Sequence, residues 1–371
     1  HSIMKVDDSV DFLDRKATKN AMKRLVYQVM CHVTEKNLPW GTLTGIRPTK
    51  IAMGLYERKK PMTDDEVYRF MKDTYYVSDE KIDLARDIAK REIKILKNID
   101  YKKGYSLYIG IPFCPSTCLY CSFTSYNVEV YKNRTDAYVD SLLKELAYVA
   151  AEFKDKKLNT VYFGGGTPTA LEAEQLDRII TYVKANFDFS HVQEFTVEAG
   201  RPDSITEAKL LVLKKHGVTR ISVNPQTMKQ ETLDIIGRKH TVEQVVEAFK
   251  LARSLGFDNI NMDFIVGLPN ETIDDVKYTM EETLKLDPDS ITVHSLAIKR
   301  AARLNMFKDE YKELTIENSQ DIMQLTAYYA DQMGMKPYYL YRQKNIAGNL
   351  ENVGYAREGK AGIYNILIIN I

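Results

Sequence analysis

Apolar side chains recur every three to four positions over the first hundred residues, the spacing of amphipathic helices. The pattern predicts four helices, over about 18–36, 47–59, 63–74 and 78–97. Pro48 suits the first turn of the second helix, and Ser78 suits the N-cap of the fourth. Trp40, the only tryptophan, falls in a Pro39-Trp40-Gly41 connector and is expected to anchor a small helical core. Cys31 sits within the apolar period of the first helix and reads as a buried thiol.

At Tyr105 the period changes. Short β-rich runs over 106–112, 160–164, 194–199, 219–223, 259–266 and 290–296 alternate with helical patterns near 132–153, 172–186, 204–216, 241–255 and 272–285. Strands alternating with helices imply βαβ units, a parallel sheet and right-handed crossovers, hence an α/β fold. The sheet is either curled like a barrel or open and doubly wound, and in both cases chemistry belongs at the C-terminal strand ends. Polar candidates fall there in succession: a cysteine loop after the first strand, Gly164-Gly165-Gly166-Thr167 after the second, then Glu198, Gln226, Asp263, and His294 with Ala297. A charged helical stretch over about 312–333, a tyrosine-rich segment and a final apolar run complete the chain. The chain therefore divides into a helical N-terminal domain (1–103), an α/β core (104–300) and a C-terminal extension (301–371) expected to stop short of a natural C-terminus.

Composition narrows the function. The 52 basic and 51 acidic side chains give a net charge of +1, which argues against a nucleic-acid or membrane-surface binder. No apolar run approaches the length of a membrane span. The opening His1-Ser2-Ile3-Met4 does not read as a signal peptide, and the few cysteines suit a reduced, cytoplasmic setting.

Three of the four cysteines, Cys114, Cys118 and Cys121, lie within eight residues. Three thiolates in one loop suit three corners of a cubane iron–sulfur cluster and leave the fourth iron open to a ligand, whereas an electron-transfer cluster takes four. A structural zinc site also wants four ligands, and only a distant histidine such as His216 or His240 would supply the last. The glycine run permits close backbone approach, although a tight strand-to-helix turn would explain it equally. Glu198 and Asp263 lie in apolar strands, where an unpaired carboxylate is expensive, so both read as site residues. Arg238, in a polar stretch, reads from its neighbours alone as solvated.

The succession YIGIPFCPSTCLYCSF, YFGGGTPT, VEAGRPD, RISVNPQTM, IGRKHT, NMDFIVGLP and HSLA resembles the radical S-adenosylmethionine (SAM) superfamily, and within it the oxygen-independent coproporphyrinogen III oxidase family. The N-terminal PWGTLTGIRPTKIA is similar to the HemZ-type coproporphyrinogen dehydrogenases. The resemblance implies a partial (β/α)6 radical SAM barrel preceded by the helical domain. It also implies a [4Fe–4S] cluster on Cys114, Cys118 and Cys121, with SAM as second cofactor. Tyr120 would lie against the adenine, and Gly165, Gly166 and Thr167 would face the methionine end. Glu198, Gln226, Arg238, Asp263 and Ala297 would line the rest of the cofactor pocket, with Tyr108 beside cluster and cofactor as the catalytic candidate. The implied reaction is oxidative decarboxylation of coproporphyrinogen III to protoporphyrinogen IX in heme biosynthesis. An external one-electron donor such as flavodoxin or ferredoxin would serve it. Arg201, Lys299, Arg300 and Arg342 are the candidates for pairing with substrate propionates. The chain departs from the oxidase pattern at Gly110, where the family usually has histidine, and at Phe123, where the oxidase has cysteine. Cys-Ser-Phe is closer to the heme-chaperone-like branch, which implies two alternatives: a heme-binding protein that keeps the cluster, or a radical enzyme acting on heme.

Overall fold

The computed structural model describes residues 12–344 and 346–370. Its N-terminal helices are α1 (Arg15–Thr34), α2 (Thr49–Tyr56), α3 (Asp64–Tyr75) and α4 (Asp79–Leu96). Thr63 and Glu66 close a reciprocal capping box that starts α3. Val67 and Met71 of α3, Ile82, Ala85, Ile88 and Ala89 of α4 and the fully buried Trp40 belong to one hydrophobic cluster continuous with that of the sheet, rather than to a separate small helical core. The first helix behaves otherwise. Only Ala21 of α1 is buried, Met22, Val26, Met30 and Val33 are exposed, and Cys31 is half-buried rather than buried. The apolar period there runs along a helix that meets the rest of the bundle at one edge only.

The sheet has eight strands among the described residues. Six run parallel in chain order: β1 (Tyr105–Ile111), β2 (Leu158–Gly165), β3 (Glu194–Gly200), β4 (Arg220–Val223), β5 (Ile260–Val266) and β6 (Ser290–Ser295). Between them run the crossover helices α5 (Thr135–Glu152), α6 (Ala173–Asn186), α7 (Glu207–Lys215), α8 (Val242–Ser254) and α9 (Ile273–Leu286). Each turns an apolar stripe to the sheet, as α6 does with Leu176, Ile179, Ile180 and Val183. Burying one such side chain contributes about 1.5–3 kcal/mol. Strand alternation does the complementary sorting. Leu107, Ile109 and Ile111 of β1 join the core, while Tyr108 and Gly110 lie on the other face. The sheet curls into a half-barrel with its inner face lined by polar and aromatic side chains.

Two further strands extend it, antiparallel. The tyrosine-rich segment is β7 (Lys336–Tyr341), and β8 (Asn352–Ala356) inserts between β6 and β7. The helical stretch expected over 312–333 is shorter, α10 (Gln320–Gln332), begun by Ser319, whose side chain accepts the Ile322 N–H. The segment before it lacks an apolar period and is held as a loop, with Asn270 Oδ1 accepting the Thr315 N–H at 3.0 Å. The final apolar run is α11 (Ile363–Asn370), packed on β2 and β7. Glu194, at the start of β3, accepts the Ile363 N–H. That bond fixes α11 at the N-terminal ends of the strands. Tyr364 then stacks inside the curl on Tyr162, ring centroids 4.3 Å apart.

Candidate functional site

The cysteine loop leaves β1 through Phe113 and Cys114 and is pinned at both ends. Tyr126 N–H bonds Pro112 O at 2.7 Å, and Leu119 N–H bonds Ile236 O at 2.9 Å. In its middle, Arg201 grips it. The guanidinium is 2% exposed, chelates Asp203 at 3.0 and 2.7 Å, and donates to Ser116 Oγ at 2.6 Å and Ser116 O at 3.2 Å. Arg201 therefore has no free donor fork for a propionate. Arg342 is likewise buried, donating to Leu43 O at 2.7 Å and Asn349 Oδ1 at 2.6 Å. Both were substrate candidates by sequence and are structural anchors. Lys299 and Arg300 keep accessible surface, and Lys299 stands 5.7 Å from the Phe123 ring centroid.

The glycine run lies against this loop. Gly166 N–H bonds Ile111 O and Thr167 N–H bonds Phe113 O, both at 2.7 Å. A Cβ on Gly166 would stand 2.6 Å from Phe113 O and 2.9 Å from Cys114 Sγ. Gly165 has φ +108°, and a Cβ there would meet the Ile111 backbone at 2.8 Å. These glycines are required first by the approach of two protein segments. The buried Thr167 hydroxyl reaches Cys114 Sγ at 3.5 Å.

One pocket of about 380 Å³ is lined by Cys114, Cys118 and Cys121 together with Tyr108, Tyr120, Gly165, Gly166 and Thr167. Glu198, Gln226, Arg238, Asp263 and Ala297 complete that side of it. The residues that the resemblance assigns to cluster and SAM thus meet in one cavity at the C-terminal strand ends, and of the four propionate candidates Arg201 and Lys299 line it while Arg300 and Arg342 do not. Among the described residues no group of three or more His, Cys, Asp or Glu side chains closes on a single metal-ion point. A cubane cluster instead spreads its thiolates over separate iron corners. His216 is buried just past the end of α7 with Nε2 2.7 Å from Asp177 Oδ1, and His240 is buried without a hydrogen-bond partner.

The electrostatics are those of a dry, polar cavity. Burial raises the Cys114 thiol, and the neighbouring Cys118 and Cys121 add to the shift, while the Thr167 hydroxyl and Arg201 oppose it. Burial also raises Cys121, against the Phe123 backbone amide and Arg238. Glu198 is pushed up to about 7, mainly by burial, with Asp263 adding and the Tyr162 hydrogen bond and Arg220 opposing. Its partner is Tyr162, whose hydroxyl donates at 2.6 Å. Asp263 accepts from Asn261 Nδ2 at 2.7 Å. Neither carboxylate is unpaired, in keeping with the cost of leaving one bare in an apolar strand. Arg238 is buried, not solvated, and donates to the carbonyls of Asn224 and Pro225. Gln226 has φ +74°, which is costly for a residue with a side chain, and its ladder bonds to Asp263 and Ile265 hold it there.

Several lining residues were not singled out by sequence. Asn224, Tyr341, Gln343 and Asn352 line the same cavity. Tyr341 could be found only by knowing that the tyrosine-rich run is a strand. His294 Nδ1 lies 3.1 Å from its hydroxyl. Two buried acceptors, Gln226 Oε1 and Asn224 Oδ1, have no protein partner. Unsatisfied buried acceptors are rare in native interiors, so the cavity fits a polar ligand carrying donors. Among the described residues no helix is long and apolar enough to cross a membrane.

The Radical SAM superfamily model matches residues 108–283. An oxygen-independent coproporphyrinogen-III oxidase-like protein, HemZ, of Bacillus subtilis is 41% identical over 372 residues, 97% of this chain and 73% of that protein. The heme chaperone HemW of the same organism is 36% identical over 195 residues, covering 52% of this chain and 51% of that protein. Among solved structures, coproporphyrinogen III oxidase (HemN) of Escherichia coli, a radical SAM enzyme, matches with TM-score 0.58 and 26% identity over 71% of this chain and 58% of that one. The chain belongs to the radical SAM superfamily, in the family of oxygen-independent coproporphyrinogen III oxidases and their HemZ-like relatives, and its cofactors are a [4Fe–4S] cluster and SAM.

Proposed function

We propose that the chain catalyses the oxygen-independent oxidative decarboxylation of coproporphyrinogen III to protoporphyrinogen IX in the cytoplasm, with reducing electrons from a flavodoxin or ferredoxin. The observation that carries this reading is the single cavity shared by three thiols, a glycine-walled strand end and unpartnered buried acceptors. Cys114, Cys118 and Cys121 would hold three irons of the cluster, leaving the fourth for the cofactor. Bound there, cluster and SAM together supply a carbon-centred radical able to abstract a hydrogen atom.

The chain's own residues do the rest. Thr167 and Arg201 hold the cysteine loop in place. Gly165 and Gly166 let the strand end lie flat beside it. Arg238, Gln226 and Asn224 offer a buried donor and two acceptors to the amino-acid and sugar ends of the cofactor. Glu198, Asp263 and Ala297 would line its remaining contacts, with Tyr120 against the adenine and Tyr108 at the reacting end. A cavity of about 380 Å³ suits one cofactor-sized ligand, so a macrocycle would sit at the mouth beside Phe123 and Lys299. There each of two propionates would give a hydrogen atom to the cofactor-derived radical and then release carbon dioxide and one electron, the electron passing to an external one-electron acceptor, to leave a vinyl group. Lys299 and Arg300 are the cations available for the remaining carboxylates. Anaerobic incubation with a reduced donor, SAM and coproporphyrinogen III, followed by mass spectrometry, tests the reading. Loss of two carbon dioxide units per substrate supports it, and deoxyadenosine release without vinyl product overturns it.

One feature favours a second reading. Phe123 is 70% exposed next to the third cysteine, and the small Gly110 lies beside Tyr108. An exposed aromatic ring at the mouth suits binding of heme, and the HemW relative is named a heme chaperone. Stoichiometric hemin binding without turnover would select it. A heme-derived product would instead point to a radical enzyme acting on heme.

A further inference from the structure

Trp40 is fully buried, and its indole N–H donates to Glu351 Oε2 at 2.7 Å across 311 residues of chain. Lys81 Nζ holds the other oxygen, Oε1, at 2.7 Å, and Lys81 and Glu351 are each 1% exposed. A second grip lies beside it. Arg342 donates from Nη1 to Leu43 O at 2.7 Å and from its backbone N–H to Ile46 O at 2.8 Å, with its guanidinium 5.7 Å over the Trp40 ring. The 39–48 connector and the segment after β7 are thus one hydrogen-bonded unit.

That unit reaches the cavity. Ser295 Oγ donates to Glu351 O at 2.8 Å. Asn352 accepts the Ser295 N–H at 2.9 Å and donates to Tyr341 O at 3.2 Å. Ser295, Tyr341, Gln343 and Asn352 all line the pocket. A buried ion pair is a weak device for stability alone, because desolvation cancels most of its attraction. What it sets well is geometry.

We propose that Glu351 is a positioning residue: gripped by Trp40 and Lys81, it fixes the Tyr341–Asn352 side of the pocket, so that the N-terminal helices take part in selecting the ligand. The inference rests on the reading that the mouth takes a tetrapyrrole. The test uses the whole chain with reconstituted cluster and the variant Trp40→Phe, which keeps a ring and removes the donor. Amide exchange over 341–352 is expected to accelerate about tenfold while 114–121 and 165–167 stay as they are. KM for coproporphyrinogen III is expected to rise about tenfold with kcat within about threefold and SAM affinity unchanged. Should Trp40→Phe fail to fold, the paired K81M/E351M variant, which removes both charges together, carries the same expectations. Unchanged exchange in a folded variant overturns the proposal, as does a parallel loss of SAM and tetrapyrrole binding. If the wild type yields no vinyl product, hemin affinity replaces KM and should fall by the same factor. A wild type that neither turns over nor binds hemin overturns the tetrapyrrole reading and the ligand half of this inference, and the exchange result still decides the mechanical half.

Discussion

The Tyr162 hydroxyl donates a 2.6 Å hydrogen bond to Glu198 Oε1 inside the curl of the sheet. Glu198 sits at about 7 even with that bond in place, because burial outweighs it. A carboxyl raised this far binds its proton more tightly folded than unfolded. Its contribution to stability is therefore full below the unfolded value and is lost as pH rises from about 4.5 to about 7. The cofactor-free protein should lose roughly 3 kcal/mol from this group across that window. Glu198→Gln should remove that part of the slope, keeping an acceptor for Tyr162. Denaturant titrations of both proteins at pH 5 and pH 8 measure it, and equal slopes would refute the assignment.

Gly166→Ala should abolish cluster assembly while leaving the fold, since its Cβ would stand 2.9 Å from Cys114 Sγ. Iron and sulfide per chain after anaerobic reconstitution should fall to near zero, with far-ultraviolet circular dichroism unchanged. Cys114→Ser, Cys118→Ser and Cys121→Ser should behave alike, and Cys31→Ser, on the outer helix α1, should reconstitute as the wild type does.

Asp203→Ala should destabilise the chain by about 2 kcal/mol, because the buried Arg201 would lose its partly exposed carboxylate partner. Arg201 would lose two of its four hydrogen bonds and keep only those to Ser116. Because Ser116 lies between the first two cysteines, iron retention under mild chelation should fall as well. A loss of stability with undiminished iron retention would show that the ion pair does not act on the loop.

Much of this was legible in the sequence because the strands carry two codes at once. In β1 the odd positions Leu107, Ile109 and Ile111 declare the core, and the cysteines that follow declare the loop. The site residues sit where each parallel strand ends, so finding the strands located the cavity. Arg238 was not legible from its neighbours and came only with the resemblance, since its burial beside Asn224 and Tyr120 depends on contacts between separate βα units. Arg201 and Arg342 look like free cations until their partners, Asp203, Ser116, Leu43 and Asn349, are brought beside them by folding. The antiparallel pair β7 and β8 was hidden because tyrosines on a strand with two buried faces show no alternation. Helix α1 misled in the opposite way, its regular period facing outward.

Helix α11 carries Tyr364 to the inner face of the sheet beside the cavity-lining Tyr108, their ring centroids 6.0 Å apart. Glu194 holds its start, Tyr364 fills the curl against Tyr162, and Ile366 and Leu367 are buried behind. In the proposed arrangement SAM lies beside the cysteines and the macrocycle at the mouth, so the deeper ligand has to enter first and leave last. Steady-state kinetics should therefore be ordered, with SAM leading, and the macrocyclic product should inhibit uncompetitively against SAM. That order also makes the departure of the outer molecule the natural limit on how fast the inner one is renewed.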